Sequence, residues 1–221
     1  MRWRSQDSPD SAHYARLRER MVREQIQNRG IKDQRVLDAM MFVPRHLFVK
    51  PEVMDNAYDD NAMPLSHGQT ISQPYIVGLM TELLQPEKTS KVLEIGTGCG
   101  YQTAVLAEIV QQVYTVEIIP ELAESAWKRL QALGYQNVQG KIGNGYYGWE
   151  EYAPFDGILV AAAPEKVPEP LLQQLVVGGR LVLPVGDYYQ DLVCIRKTER
   201  GLERRTISGV RFVPMTGAPE G

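Results

Sequence analysis

The chain has little of what covalent and metal-centred sites are made from. Its 221 residues include two cysteines, Cys99 and Cys194, and three histidines. Two isolated thiols cannot make a disulfide framework, and none of these residues stands at metal-ligand spacing, so no metal is expected. Long apolar runs are missing too, none nearing the roughly 18 residues of a membrane span. Met1 to Arg20 is polar, without the apolar stretch of a secretory signal. These absences predict a cytoplasmic protein that does not engage a membrane. A surplus of one charge is also lacking, since 24 Lys and Arg face 27 Asp and Glu for a net charge of -3. Bulk nucleic-acid binding calls for a basic excess, so no nucleic-acid partner is expected. With 43% hydrophobic and 23% charged residues, the composition is that of a folded chain. Its length is enough to bury a core without staples.

What the sequence does contain is a change of pattern near residue 90. Residues 1–11, rich in Ser, Asp and Arg, read as a flexible tail. Leu17, Met21, Val22 and Ile26 mark an amphipathic helix from Ala12 to Asn28, ended by Gly30. Its arginines Arg16, Arg18, Arg20 and Arg23 are interleaved with Glu19 and Glu24 at helical pairing distance, a solvated face rather than an RNA contact. A second helix runs from Asp33 to Met41. Residues 51–75 lack periodicity, and so long an irregular stretch marks a functional loop. A helix follows from Tyr75 to Leu84. Beyond it, strands are expected at Lys91–Ile95, Val113–Val116, Val138–Ile142, Gly157–Val160, Arg180–Val185, Leu192–Ile195 and Gly209–Val213. Helices are expected at Thr103–Val110, from Pro120 to Leu133, and at Leu171–Val177, the last followed by a Gly178-Gly179 turn. This alternation predicts an α/β fold: a mostly parallel sheet with helices on both faces and an N-terminal helical extension. The organisation is a tail over 1–11, helices and a functional loop over 12–90, and a core over 91–217, one domain overall.

The segment Val92-Leu93-Glu94-Ile95-Gly96-Thr97-Gly98-Cys99-Gly100-Tyr101 ends the first core strand and opens a helix, where doubly wound folds bind ligands. Gly96, Gly98 and Gly100 alternate, unlike the Gly-x-Gly-x-x-Gly of dinucleotide sites. Glu117 follows about 20 residues on, where a carboxylate accepts hydrogen bonds from ribose hydroxyls. Glu94 stands just before the loop, where a bound pyrophosphate would face it. At about 4 Å and an effective dielectric of about 20, that repulsion is roughly 4 kcal/mol. A ribose carrying an ammonium and a sulfonium but no phosphate suits the two carboxylates better, and S-adenosylmethionine is such a ligand.

Several separated motifs, spread over roughly Gly30 to Gly217, resemble the protein-L-isoaspartate O-methyltransferase family. They are Val43-Pro44-Arg45 with Phe48-Val49, then Gly68-Gln69-Thr70-Ile71-Ser72-Gln73-Pro74-Tyr75, and then the glycine loop. Ala153-Pro154-Phe155-Asp156, Gly178-Gly179-Arg180-Leu181 with Leu183-Pro184-Val185-Gly186, and Val210-Arg211-Phe212-Val213-Pro214 complete the set. The glycine loop is common to many methyltransferases, whereas the Gly-Gln-Thr-Ile-Ser stretch is far more specific. The resemblance implies a Rossmann-like class I S-adenosylmethionine-dependent methyltransferase fold and a monomer. It also implies methyl transfer from S-adenosyl-L-methionine to the free carboxylate of L-isoaspartyl residues in damaged peptides and proteins, with S-adenosyl-L-homocysteine as product. It singles out Ser72 as the catalytic residue, within an acceptor loop of Thr70, Ile71 and Ser72. For the cofactor it implies Glu94, Gly96, Thr97, Gly98, Gly100, Glu117, Asn144 and Gly145. The chemistry agrees, because a carboxylate with a pKa of about 4 is already ionised and needs no general base. Alignment of the reactants is the protein's task, worth up to roughly 7–11 kcal/mol.

Two departures stand out. Gly143-Asn144-Gly145 replaces the family's usual Gly-Asp-Gly, and an Asn carbonyl can accept the same hydrogen bond from the adenine amino group without the charge. Pro64-Leu65-Ser66-His67-Gly68 places a histidine beside the acceptor loop, where it reads as an exposed loop residue, since the chemistry requires no base. Two other readings stay open: a methyltransferase acting on a different substrate, and a methyltransferase-like module that binds without turnover.

Overall fold

Successive side chains of the core strands point to opposite faces of one sheet, and the central strands are buried on both. The computed structural model describes residues 9–217, with side chains from residue 12; most of the expected tail, residues 1–8, lies outside the described residues. The chain opens with α1 (Pro9–Arg20), whose path continues through a wider π-helical turn (Met21–Ile26) and a 3-10 turn to Gly30. The wide turn keeps Met21, Val22 and Ile26 all buried, and Gly30 ends the run at φ 103. After α2 (Gln34–Phe42) come two short 3-10 turns, then the two-residue strands β1 (Met63–Pro64) and β2 (Thr70–Ile71), and α3 (Pro74–Leu84).

The core follows as β3 (Lys91–Ile95), α4 (Tyr101–Ile109), β4 (Gln112–Glu117), α5 (Pro120–Ala132), β5 (Val138–Ile142), β6 (Phe155–Val160), α6 (Glu169–Gln173), β7 (Leu175–Val185), β8 (Gln190–Thr198) and β9 (Gly201–Val210). The seven core strands stand in the order β5-β4-β3-β6-β7-β8-β9. Pairings from β5 to β7 are parallel, and the last two are antiparallel. Val92, Val113, Leu159, Val182 and Leu192 face a core shared with α2, α3 and α4. Their neighbours Leu93, Ile158, Val160, Leu181, Leu183 and Val193 face a second core with Trp149, Leu171 and Leu172. Among the described residues, no helix is long and apolar enough to cross a membrane.

Three expectations differ. The helix expected at Leu171–Val177 is only Glu169–Gln173, and Leu175 already pairs with Phe155 in the sheet. Apolar residues there suit either period, and the β-branched pair Val176-Val177 favours the strand. Lys197 Nζ ends the helix by donating to the carbonyls of Leu172 (3.1 Å), Gln173 (3.3 Å) and Leu175 (2.8 Å). Gly178 and Gly179 are not a turn but lie inside β7, at a bulge where the pairing shifts register. The final strand spans Gly201–Val210 rather than Gly209–Val213. Its first residues are charged because it is an exposed edge strand, a common guard against edge-to-edge pairing.

Candidate active site

The glycine loop leaves β3 at the carboxyl end of the sheet. Gly96 N–H donates to the Val116 carbonyl (2.8 Å) and Gly100 N–H to the Thr97 carbonyl (2.8 Å), closing a tight turn. Gly96, Gly98 and Gly100 have φ of 91, 54 and 89, a region glycine occupies without strain. Glu117, at the end of β4, braces this turn. Its Oε2 accepts Gly98 N–H at 2.9 Å and its Oε1 accepts Ile119 N–H at 3.0 Å. Each carboxylate oxygen keeps a lone pair for a ligand hydroxyl.

Glu94 sits elsewhere than expected. It is wholly buried beneath the loop and does not line the cavity. Its Oε2 accepts the hydroxyls of Thr103 (2.5 Å) and Thr115 (2.7 Å), and Thr97 Oγ1 lies 2.7 Å from Thr115 Oγ1. Burial pushes its carboxyl up to about 8, so at neutral pH it is mostly protonated and supplies little of the repulsion expected toward a diphosphate. Its Oε1 is buried without a hydrogen-bond partner.

Opposite the loop, Gly145 lies so close to β3 that a Cβ there would stand 2.2 Å from Ile95 Cγ2 and 3.1 Å from Met215 Cε. Asn144 caps this turn, its Oδ1 accepting Tyr146 N–H at 3.0 Å. The last wall is the segment Val213–Thr216, to which sequence reasoning gave no role although Val213-Pro214 belongs to a quoted motif. It is stitched beside Ala163, whose N–H donates to the Val213 carbonyl (2.9 Å) and whose carbonyl accepts Met215 N–H (2.8 Å).

The acceptor loop closes the remaining side. Strands β1 and β2 pair antiparallel, Met63 with Ile71 and Pro64 with Thr70, and so deliver Ser72 to the start of α3. Among the described residues, Ser72 Oγ and the N–H groups of Ser72 and Gln73 have no hydrogen-bond partner. Pro74 occupies the first position of α3 with no side-chain cap before it, so free N–H groups of the first turn add positive potential. His67 is exposed at φ 58 in the turn before the loop.

Together these elements line one cleft. Thr70, Ile71 and Ser72 share it with Gly96, Thr97, Gly98, Glu117 and Gly145, while Glu94, Gly100 and Asn144 stand behind its walls. Among the described residues, no Lys, Arg or His lines it, so they offer a diphosphate no cation there. The left-handed glycines, the braced Glu117 carboxylate and the Cβ-free floor at Gly145 fit S-adenosylmethionine. Among the described residues, no cluster of His, Cys, Asp and Glu could hold a metal ion.

This fold and cleft define a Rossmann-like class I methyltransferase. Comparison with known proteins narrows the class. A sequence model of the protein-L-isoaspartate(D-aspartate) O-methyltransferase family matches residues 16–220. The chain is 57% identical over 201 residues to the protein-L-isoaspartate O-methyltransferase of Picosynechococcus sp., covering 91% of this chain and 90% of that one. It is 51% identical to the enzyme of the same name from Dictyoglomus turgidum, with 94% of each chain covered. Its backbone is similar to the crystal structure of a Plasmodium falciparum protein of this description in complex with S-adenosyl-L-homocysteine. That match has a TM-score of 0.77 and 26% identity, over 90% of this chain and 98% of that one. The chain belongs to the protein-L-isoaspartate (D-aspartate) O-methyltransferase family.

Proposed function

We infer that this protein transfers a methyl group from S-adenosylmethionine to the free carboxylate of L-isoaspartyl residues in peptides and proteins, leaving S-adenosylhomocysteine. It does so as a soluble cytoplasmic monomer. The observation that carries the reading is the meeting of two loops in one cleft. Ser72, with an unpaired hydroxyl, faces the same space as the glycine loop braced by Glu117. Glu117 would hold the ribose, Gly96, Thr97 and Gly98 would let the cofactor approach the backbone, and Asn144 and Gly145 would frame its base. Gly100 opens α4 behind this loop, and Glu94 holds the loop's hydroxyl network from below. When bound, the cofactor supplies a methyl group already activated on a cationic sulfur.

The acceptor oxygen is ionised at neutral pH, with a pKa of about 4 when free. Ser72 Oγ–H and the free N–H groups of Ser72 and Gln73 can donate to it without protonating it, fixing its direction and replacing water. The test is transfer of label from S-adenosylmethionine to paired peptides, one isoaspartyl and one normal aspartyl. Base-labile label on the first alone is expected, and Ser72→Ala should lower kcat more than cofactor affinity. Cofactor binding without transfer to either peptide would instead identify a binding module, and transfer to a different acceptor class would refute the substrate.

A further inference from the structure

Arg45 is a buried cation with no counterion among the described residues. It belongs to the Val43-Pro44-Arg45 motif, for which the cofactor and acceptor assignments have no use, and it is wholly buried. Its Nε donates to the Ala57 carbonyl at 2.6 Å and one Nη to the Ser72 carbonyl at 2.8 Å. The guanidinium carbon lies 4.8 Å from the centre of the Tyr101 ring, and Tyr101 lines the cleft. The other Nη is buried without a partner, as is the Tyr101 hydroxyl. Among the described residues, no ion pair includes Arg45.

The groups facing it do not neutralise it. Burial pushes the Tyr58 hydroxyl, the Tyr101 hydroxyl and the Cys99 thiol up from their ordinary values, so all three are uncharged at neutral pH. Nearby, Arg18 Nη1 reaches the Tyr58 hydroxyl at 3.4 Å and Arg129 Nη1 donates to the Cys99 carbonyl at 2.9 Å, adding positive charge. His46 Nδ1 lies 2.8 Å from the Tyr58 hydroxyl. A buried charge is normally paired. Here its contacts toward the cleft are the face of the uncharged Tyr101 ring and the carbonyl of Ser72, the residue that faces the acceptor.

We propose that Arg45 is a positioning residue for the acceptor, holding the Ser72 carbonyl inward and lending its unpaired positive charge to the acceptor carboxylate. The peptide group makes the link. In a trans peptide, carbonyl and N–H point in opposite directions, so turning the Ser72 carbonyl toward Arg45 turns the Gln73 N–H away from it. Pulling on that carbonyl also polarises the peptide and strengthens the N–H as a donor. Loop geometry and the missing negative charge thus come from one side chain, and the substrate completes the ion pair.

This rests on the carboxyl-methyltransferase reading, and the experiment separates the two. Wild-type protein must first methylate an isoaspartyl peptide, and failure there sinks the functional reading itself. Arg45→Gln and Arg45→Lys are then compared with it for peptide KM, kcat, cofactor Kd and the acid limb of kcat against pH. Arg45→Gln should raise peptide KM at least tenfold, leave cofactor Kd within about twofold, and move the acid limb up by about one pH unit. Arg45→Lys should recover part of the KM loss and restore the acid limb. Unchanged KM and acid limb, or equal losses in Lys and Gln variants, would overturn the proposal. Should the variants not fold, the Nε resonance of Arg45 in wild-type protein is followed by NMR. It should shift with the isoaspartyl peptide and not with the aspartyl one, and an unmoved resonance would overturn the proposal.

Discussion

Replacing Glu94 by Gln tests the electrostatics under the glycine loop. In the folded protein the Glu94 carboxyl is pushed up to about 8 from an ordinary value of 4.5, chiefly by burial and partly offset by the Thr103 and Thr115 hydroxyls. The folded state therefore keeps this proton to a higher pH than the unfolded chain does. Stability depends on pH through the difference in bound protons, so the Glu94 contribution is fully present below 4.5 and is lost as pH rises toward 8. Each pH unit in that window corresponds to about 1.4 kcal/mol, making the full span on the order of 5 kcal/mol. Glu94→Gln cannot titrate, so subtracting its stability from that of wild type cancels every other ionisable group. Urea unfolding of both proteins at intervals from pH 4.5 to 8.5 should show wild type losing on the order of 5 kcal/mol relative to the variant across this range. A difference that stays flat, or that moves in favour of wild type as pH rises, would show that Glu94 is charged in the folded protein.

Other residues give independent outcomes. Gly145→Ala puts a Cβ against Ile95, a buried β-branched strand residue that cannot move aside. It should cost about 1–3 kcal/mol by overpacking, read as a lower Tm, and weaken cofactor binding at least tenfold because the turn must shift outward. Glu117→Gln keeps the shape but can brace only one of Gly98 and Ile119. Losing one charge-assisted bond of about 1.5–3 kcal/mol should raise cofactor Kd by roughly 10- to 100-fold in calorimetry, with little change in kcat at saturation. Asn144→Asp makes the acceptor ionic while preserving the cap on Tyr146 N–H, and should tighten cofactor binding about two- to fivefold.

Much of this was legible in the residues because it is local. The glycine alternation, the strand before it and Glu117 at the end of the next strand all lie within about thirty positions, and the structure brings them to one cleft. Ser72 was visible only through the resemblance, since a serine before a proline-led helix is otherwise an ordinary cap. The fate of Glu94 was hidden because its two hydroxyl partners, Thr103 and Thr115, arrive on different elements. Val213–Thr216 could not be given a role either, because it becomes a wall only through its long-range bridge to Ala163. The misread end of α6 failed for another reason. One apolar run satisfied both periods, and the arbiter was Lys197, more than twenty residues away. Likewise the polar start of β9 carries no strand signal, as befits a strand with solvent on its outer edge.

The stitch between Ala163 and the Val213–Met215 segment also bears on how the protein is made. The wall it secures follows the glycine loop by more than a hundred positions. A nascent chain that has emerged only as far as β8 can already pair its parallel strands, yet it offers the nucleoside an open trough instead of an enclosed berth. Tight capture of the methyl donor is thereby deferred until the polypeptide doubles back across the sheet, and ligand binding becomes a report on completed topology.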